Sequence, residues 1–220
     1  MPKLRLQDVE RNQKKIEDGA LRVFTQQGYH GTSVRDIAKA SGISIGNLYN
    51  YYRTKEEIYV SVIQRYESHM EKLRRKSLGE MQGVFDPIVL RRMAHVIREI
   101  VYDNPDYWRL MYIDITEFGN KHFAGTFRSL ARNLKDRLGS QLEASTRDGN
   151  WNHGVEPALA FAAIYLQLFT YFLVEKLFGG KQHQGMSDDR AISQLIRIAT
   201  EGIWVRPGKA KRGGLRRTEK

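Results

Sequence analysis

The sequence predicts an all-α fold of about nine helices, and three observations carry that reading. No stretch alternates apolar and polar residues over strand length. Apolar residues instead recur at spacings of three and four, the period of one helix face. The intervals between these runs hold helix start and stop signals: a Ser, Thr or Asp cap ahead, a Pro at the first helical position, a Gly after the last.

The elements follow in order. Ile16, Ala20, Val23 and Phe24 fall at i, i+4, i+7 and i+8, one apolar face of a first helix over residues 11–27. Thr32 or Ser33 can cap a second helix, whose Val34, Ile37 and Ala38 share a face. Ser41-Gly42 ends it, because Gly after a helix enters the left-handed region with no Cβ penalty. Ser44 can cap a third helix with Leu48 inward, leaving Ile45, Gly46, Asn47, Tyr49, Asn50 and Tyr51 on its outer side. Thr54-x-x-Glu57 is a capping box opening a fourth helix to about residue 76. Gly79 and Gly83 mark a loop, after which Asp86 caps a fifth helix and Pro87 takes its first position. Asn104-Pro105 ends that helix and starts the sixth. A seventh runs from about His122 to Thr146 and is broken by Asp148-Gly149-Asn150. Glu156-Pro157 opens the most apolar segment, 158–177, which Gly179-Gly180 terminates, and Ser187 caps a last helix to about Trp204.

Composition narrows the function classes. Hydrophobic residues make up 41% of the chain, enough for a packed core. With no cysteine there is neither a disulfide framework nor a thiolate zinc site, which suits a reducing cytoplasm. The N-terminal MPKLRLQDVERNQKK lacks the apolar stretch of a secretory signal. Ala158–Val174 has 17 residues without charge, just short of the roughly 18–20 that cross a bilayer, and Gln167 and Thr170 interrupt it. It reads as a core or interface helix, and no membrane partner is expected. None of the six histidines forms an H-x-x-x-H pair, and neither a Gly-rich phosphate loop nor a G-x-S-x-G is present. The paired carboxylates Glu56-Glu57 and Asp188-Asp189 sit at helix starts, where the dipole favours acids. The sequence therefore points to no enzyme, no metal and no cofactor.

The net charge of +11 is uneven: +6 over residues 1–76, +6 over 206–220 and −1 between. Cationic segments bind phosphate by releasing condensed counterions. The last segment, GKAKRGGLRRTEK, reads as a basic disordered tail from its Gly and charge content.

Residues 28–57 carry the most specific signal. Two short helices joined by a tight turn are a helix-turn-helix, whose second helix enters the DNA major groove. Its outer face has small, amide and aromatic groups and no charge, where a merely solvated helix would carry Glu and Lys. The match extends to Phe24 and Gly28-Tyr29, Thr32-Ser33-Val34, Asp36-Ile37-Ala38, Ser41-Gly42-Ile43-Ser44, Gly46-Asn47-Leu48-Tyr49, Tyr51-Tyr52 and Lys55-Glu56-Glu57-Ile58. In these features residues 11 to about 66 resemble the N-terminal domain of the TetR family of bacterial transcriptional regulators. The resemblance places Ile45, Gly46, Asn47 and Asn50 against base edges. An Asn amide can bond adenine bidentately, and Ile can meet a thymine methyl. Tyr49 and Tyr51 offer hydroxyls to phosphate, Lys55 a cation, and Thr32 and Ser33 a helix N-terminus that favours an anion. Tyr52 packs inside by the same resemblance, and Arg35 is within reach of backbone phosphate or solvated.

The body is rich in large side chains, among them Trp108, Met111, Tyr112, Ile115, Phe118, Phe127, Phe161, Tyr165 and Phe169. The resemblance implies an effector cavity there, and these residues would suit a small apolar or aromatic ligand, or form ordinary core. His95, Arg98, Glu117, His122 and Arg128 are possible polar partners that no spacing singles out. Phe161, Ile164, Tyr165, Leu168 and Phe172, with Ile192, Leu195, Ile196 and Ile203, give the helices at about 157–178 and 187–204 more apolar surface than one chain can bury. By the resemblance these helices pair with their copies in a homodimer. The chain thus divides into a helix-turn-helix head (1–55), an effector-binding and dimerisation body (56–205) and the tail (206–220). The expectation is a cytoplasmic, ligand-responsive repressor of a near-palindromic double-stranded DNA operator. The alternative is a helical protein that associates with nucleic acid or membrane without sequence choice.

Overall fold

In a computed structural model the described residues are 6–78, 83–145, 154–178 and 185–201. They form nine α-helices and no strand: α1 Leu6–Gln27, α2 Val34–Ser41, α3 Ile45–Leu48, α4 Lys55–Leu78, α5 Pro87–Asp103, α6 Pro105–Phe118, α7 Ala124–Ala144, α8 Pro157–Leu177 and α9 Asp188–Glu201. The expected all-α class holds. The basic tail, Ile203, Trp204 and the breaks at 148–150 and 179–180 lie outside the described residues, as does the side chain of Phe127.

The boundaries have local causes. Ser33 accepts the Asp36 N–H while the Asp36 carboxylate takes the Ser33 N–H, a reciprocal capping box at α2. Gly42 ends α2 at φ 66°, with its N–H on the Ala38 and Lys39 carbonyls. Thr54 Oγ1 accepts the Glu57 N–H at α4, and the Glu57 carboxylate reaches back to the Arg53 N–H rather than to Thr54 itself. Asp86 accepts the Ile88 N–H with Pro87 at the first position of α5.

One element differs from expectation. The third helix was expected to carry Tyr49, Tyr51 and their neighbours, yet α3 stops after four residues at Leu48. Tyr49 is its C-cap, and the N–H groups of Asn50 and Tyr51 bond three residues back, to Asn47 and Leu48. Gly46 and Asn47 are weak helix formers, and tightening to three-residue bonds is the usual way a short helix ends.

The head packs Ile16, Ala20 and Phe24 of α1 against Ile37, Ala38 and Leu48, all buried. A Cβ on Gly19 would collide with the Ser41 side chain, so glycine there permits the close approach of α1 to α2. The core continues without a break through Ile58, Tyr59, Val62 and Ile63 of α4 into the body. There Leu90, Met93, Ile97 and Val101 of α5 face α8 and α9.

The residues expected to form the dimer face are corrected by this packing. Phe161, Ile164, Leu168 and Phe172 of α8, and Ile192 and Ile196 of α9, are buried within the single chain, with Tyr165 and Leu195 packed against them. The stripe that α8 leaves exposed is Leu159, Ala163, Leu166, Thr170 and Val174, and α9 leaves Ile198 exposed. By length and composition α8 is apolar enough to cross a membrane, and one third of its most apolar window is buried by its neighbours.

Candidate nucleic-acid interface

The turn from α2 to α3 holds the outer side of α3 clear of the rest of the molecule. Leu48 anchors it at zero exposure, while Ile45 is 40% and Tyr49 51% exposed. Ser44 caps α3 by accepting the Asn47 N–H at 3.3 Å. Asn50 Nδ2 donates to Asn47 Oδ1 at 3.4 Å, which sets the two amides side by side. That contact leaves Asn47 with its amide donors and Asn50 with its amide oxygen, the donor-plus-acceptor set that an adenine edge requires. Gly46 is exposed and a Cβ there would touch nothing, so the backbone at this point is free to approach a flat surface closely.

The expected phosphate contacts divide. Tyr49 is free on the surface. Tyr51 is half-buried against the core and accepts Asn12 Nδ2 from α1 at 2.9 Å, which leaves its hydroxyl proton available. Ser33 is exposed, but its hydroxyl is engaged with Asp36 and lowers that carboxyl below the usual range. Thr32 is corrected: it is buried, and its hydroxyl donates to the Gly28 carbonyl at 2.7 Å. Tyr52 is inside, as the resemblance implied, with its hydroxyl on Glu17 and Ser61; burial pushes it up to about 12.

Lys55 is not the free cation its position suggested. Its ammonium donates to the Tyr29 and Thr32 carbonyls, each at 2.7 Å, and stands 4.1 Å from the centroid of the Tyr29 ring. Burial lowers its proton affinity, and Glu117 opposes that shift. Two of its three donors are spent on the loop between α1 and α2, and one remains. Nothing in the spacing of Tyr29, Thr32 and Lys55 reveals this, because the contact joins residues that lie 23 and 26 apart in sequence. Arg35 and Lys39 stay exposed on α2, and Arg53 is exposed after α3, so cations flank the uncharged helix on both sides in sequence.

The residues proposed for an effector cavity fall in three places. Trp108, Phe169 and Tyr165 come together, with ring centroids 5.1 and 6.1 Å apart along that chain. Met111 and Phe161 are buried in the same core. Tyr112 and Ile115 point outward, 38% and 45% exposed, and Tyr112 meets Phe178 edge-on. Phe118 is the last residue of α6, ten beyond Trp108, and belongs to the junction with the head, against Tyr29 and Tyr59. An open groove of about 470 Å³ lies instead on α4, lined by Tyr52, Thr54, Glu56, Glu57, Val60, Ser61 and Gln64.

Comparison with known proteins agrees with this geometry. Residues 16–62 match the family described as "Bacterial regulatory proteins, tetR family". Over 97 residues the chain is 33% identical to the HTH-type transcriptional regulator AcrR of Shigella flexneri, covering 43% of this chain and 44% of that protein. Over 45 residues it is 47% identical to the biofilm operon icaADBC HTH-type negative transcriptional regulator IcaR of Staphylococcus epidermidis, covering 20% and 24%. The chain thus spans less than half the length of these relatives. The transcriptional regulator FadR from Bacillus subtilis, solved in complex with stearoyl-CoA, shares the fold at a TM-score of 0.57 with 17% identity, covering 87% of this chain and 99% of that one. The helix-turn-helix head, over residues 16–62, is thus of the kind found in the tetR family of bacterial regulatory proteins.

Proposed function

We propose that this protein is a cytoplasmic, ligand-responsive transcriptional repressor that binds a near-palindromic operator as a homodimer. The carrying observation is the outward side of α3: Ile45, Gly46, Asn47, Tyr49 and Asn50, uncharged and stabilised from behind by buried Leu48. A protein that binds DNA without sequence choice needs only Lys and Arg, whereas amides and an aliphatic group suit base edges. Asn47, Asn50 and Ile45 are assigned to bases, Tyr49 and Tyr51 to phosphates, and Lys55 to holding the head loop with one donor toward the backbone. Repression is favoured by the negative regulator among the relatives.

The dimer forms through the exposed stripe of α8, from Leu159 to Val174, with Ile198 of α9. Two-fold symmetry presents two recognition helices to two half-sites. The effector is small and apolar or aromatic, in keeping with the lining of the body and with the acyl ligand of the FadR relative in fold. It acts by a population shift: it binds better to the dimer whose heads are spaced wrongly for two half-sites, and its effect is limited by that difference in affinity.

The test is competition between the promoter fragment of the protein's own gene and random DNA at physiological salt. A ratio of about 10³ or more is expected for a specific regulator. A ratio near one would overturn the reading in favour of non-specific association.

A further inference from the structure

At the junction between head and body, one histidine stands between two carboxylates from different helices. Asp114 of α6 is fully buried. Its Oδ2 accepts the backbone N–H groups of His122 and Phe123 at 3.0 and 3.1 Å, and its Oδ1 lies 2.6 Å from His122 Nδ1. The other ring nitrogen, Nε2, lies 3.2 Å from Glu56 Oε1 in the first turn of α4. Lys121 Nζ donates to that same Glu56 oxygen at 2.6 Å. The hydrogen bonds from Lys121 and then His122 hold the Glu56 carboxyl below the usual range.

An imidazole with one proton donates from one nitrogen and turns a lone pair outward at the other. Here both nitrogens face carboxylate oxygens: Nδ1 meets Asp114 Oδ1, whose partner Oδ2 takes two backbone N–H groups, and Nε2 meets Glu56 Oε1, which also takes the Lys121 ammonium. Only the doubly protonated ring donates to both carboxylates at once. Asp114 and Glu56 are then balanced by His122 and Lys121. Removing the ring proton leaves an excess negative charge beside a fully buried carboxylate, a costly placement. The remaining surroundings do not supply a substitute cation. Tyr59 and Phe118 meet the ring edge-on at 5.6 and 4.7 Å. Glu117 is occupied by the Tyr29 and His30 N–H groups at 3.1 and 2.6 Å, with the exposed His30 ring 4.0 Å away. Lys55 is bound to the Tyr29 and Thr32 carbonyls.

We propose that His122 is a proton-operated latch between the DNA-reading head and the body, tying the first turn of α4 through Glu56 to Asp114 of α6 and loosening that turn, which Lys121 then holds alone, when the ring loses its second proton. Histidine is the side chain suited to such a switch near neutral pH. The second ring proton and the Glu56 contact go together, because a ring with one proton cannot donate to both carboxylates. On the acid side the lowered Glu56 value keeps the latch present above the ordinary Glu range, and it fails only as pH falls through that lowered value. Since α4 carries the head, the consequence for DNA rests on the proposed function above: operator affinity falls on the alkaline side of the latch.

The full-length protein is titrated by NMR, with the His122 ring nitrogens and amide-exchange protection of Tyr29, His30 and the first turn of α4 as readouts. Both ring nitrogens should be protonated on the acid side, and protection should drop about tenfold across the ring titration, the scale of one charge-assisted hydrogen bond. Glu56→Gln, on a partly exposed side chain, should move the ring titration to lower pH and flatten the protection profile even if His122→Asn fails to fold. His30→Gln should change neither. A His122 ring carrying a single proton throughout, or protection that ignores its titration, would overturn the latch. A latch that titrates as described in a chain showing no operator preference would support the latch and overturn the DNA reading instead.

Discussion

The rings of Tyr29 and Phe118 lie 4.4 Å apart, centroid to centroid. Tyr29 belongs to the loop that leaves α1, and Phe118 is the last residue of α6. Tyr59 of α4 packs against both, at 5.4 and 5.1 Å, and against Phe24 at 5.2 Å. Head and body are therefore joined by a continuous aromatic cluster rather than by a hinge of chain. Phe118→Ala should cost about 2–3 kcal/mol, less than a fully buried Phe because this ring is only half-buried. Calorimetry on the DNA-free protein checks it, and Phe118→Leu should recover most of the loss.

Ser33 and Asp36 stabilise α2 through a reciprocal cap. Ser33→Ala should cost about 1 kcal/mol at neutral pH in urea denaturation. The Asp36 carboxyl is lowered first by the Ser33 hydroxyl, so its contribution exists above the ordinary Asp range and disappears as pH falls through the lowered value. The gap between variant and parent should close in acid.

Lys55→Met separates two roles. A lysine serving phosphate alone could be replaced without effect on the free protein. The bonds to the Tyr29 and Thr32 carbonyls predict a loss of about 1–2 kcal/mol in the absence of DNA. Thermal unfolding of the free protein reads this directly, and an unchanged midpoint would return Lys55 to a purely DNA-facing role.

Leu166 stands at the middle of the exposed stripe of α8 and is 53% exposed in the single chain. Leu166→Glu should leave the helical circular dichroism spectrum intact and shift the protein to monomer in light scattering. A charge buried between two copies costs several kcal/mol, whereas a charge in water costs little. A dimer that persists would move the interface elsewhere.

Much of the molecule was legible before the structure. The caps at Ser33, Thr54 and Asp86, the glycine stop at Gly42 and the helix-turn-helix between them are local, set by a few consecutive residues and their hydrogen bonds. The period of Ile16, Ala20 and Phe24 likewise names the buried side of α1 without reference to any partner. The outward side of α3 was readable because uncharged residues on an exposed helix are unusual in themselves.

What the sequence by itself determined is thus the all-α class, the start and stop of most helices, and the uncharged outward side of α3. Only the tertiary structure decided that Lys55 bonds two carbonyls of the loop after α1, that Phe118 belongs to the junction, that Phe161 and Phe172 serve the core while Leu159 and Leu166 lie outside it, and that His122 joins Asp114 to Glu56. The reason is physical. An apolar helix such as α8 has little contrast between its sides, so its sequence does not say which side is covered. Contacts between residues tens of positions apart are set by how helices cross, and no spacing along the chain encodes them.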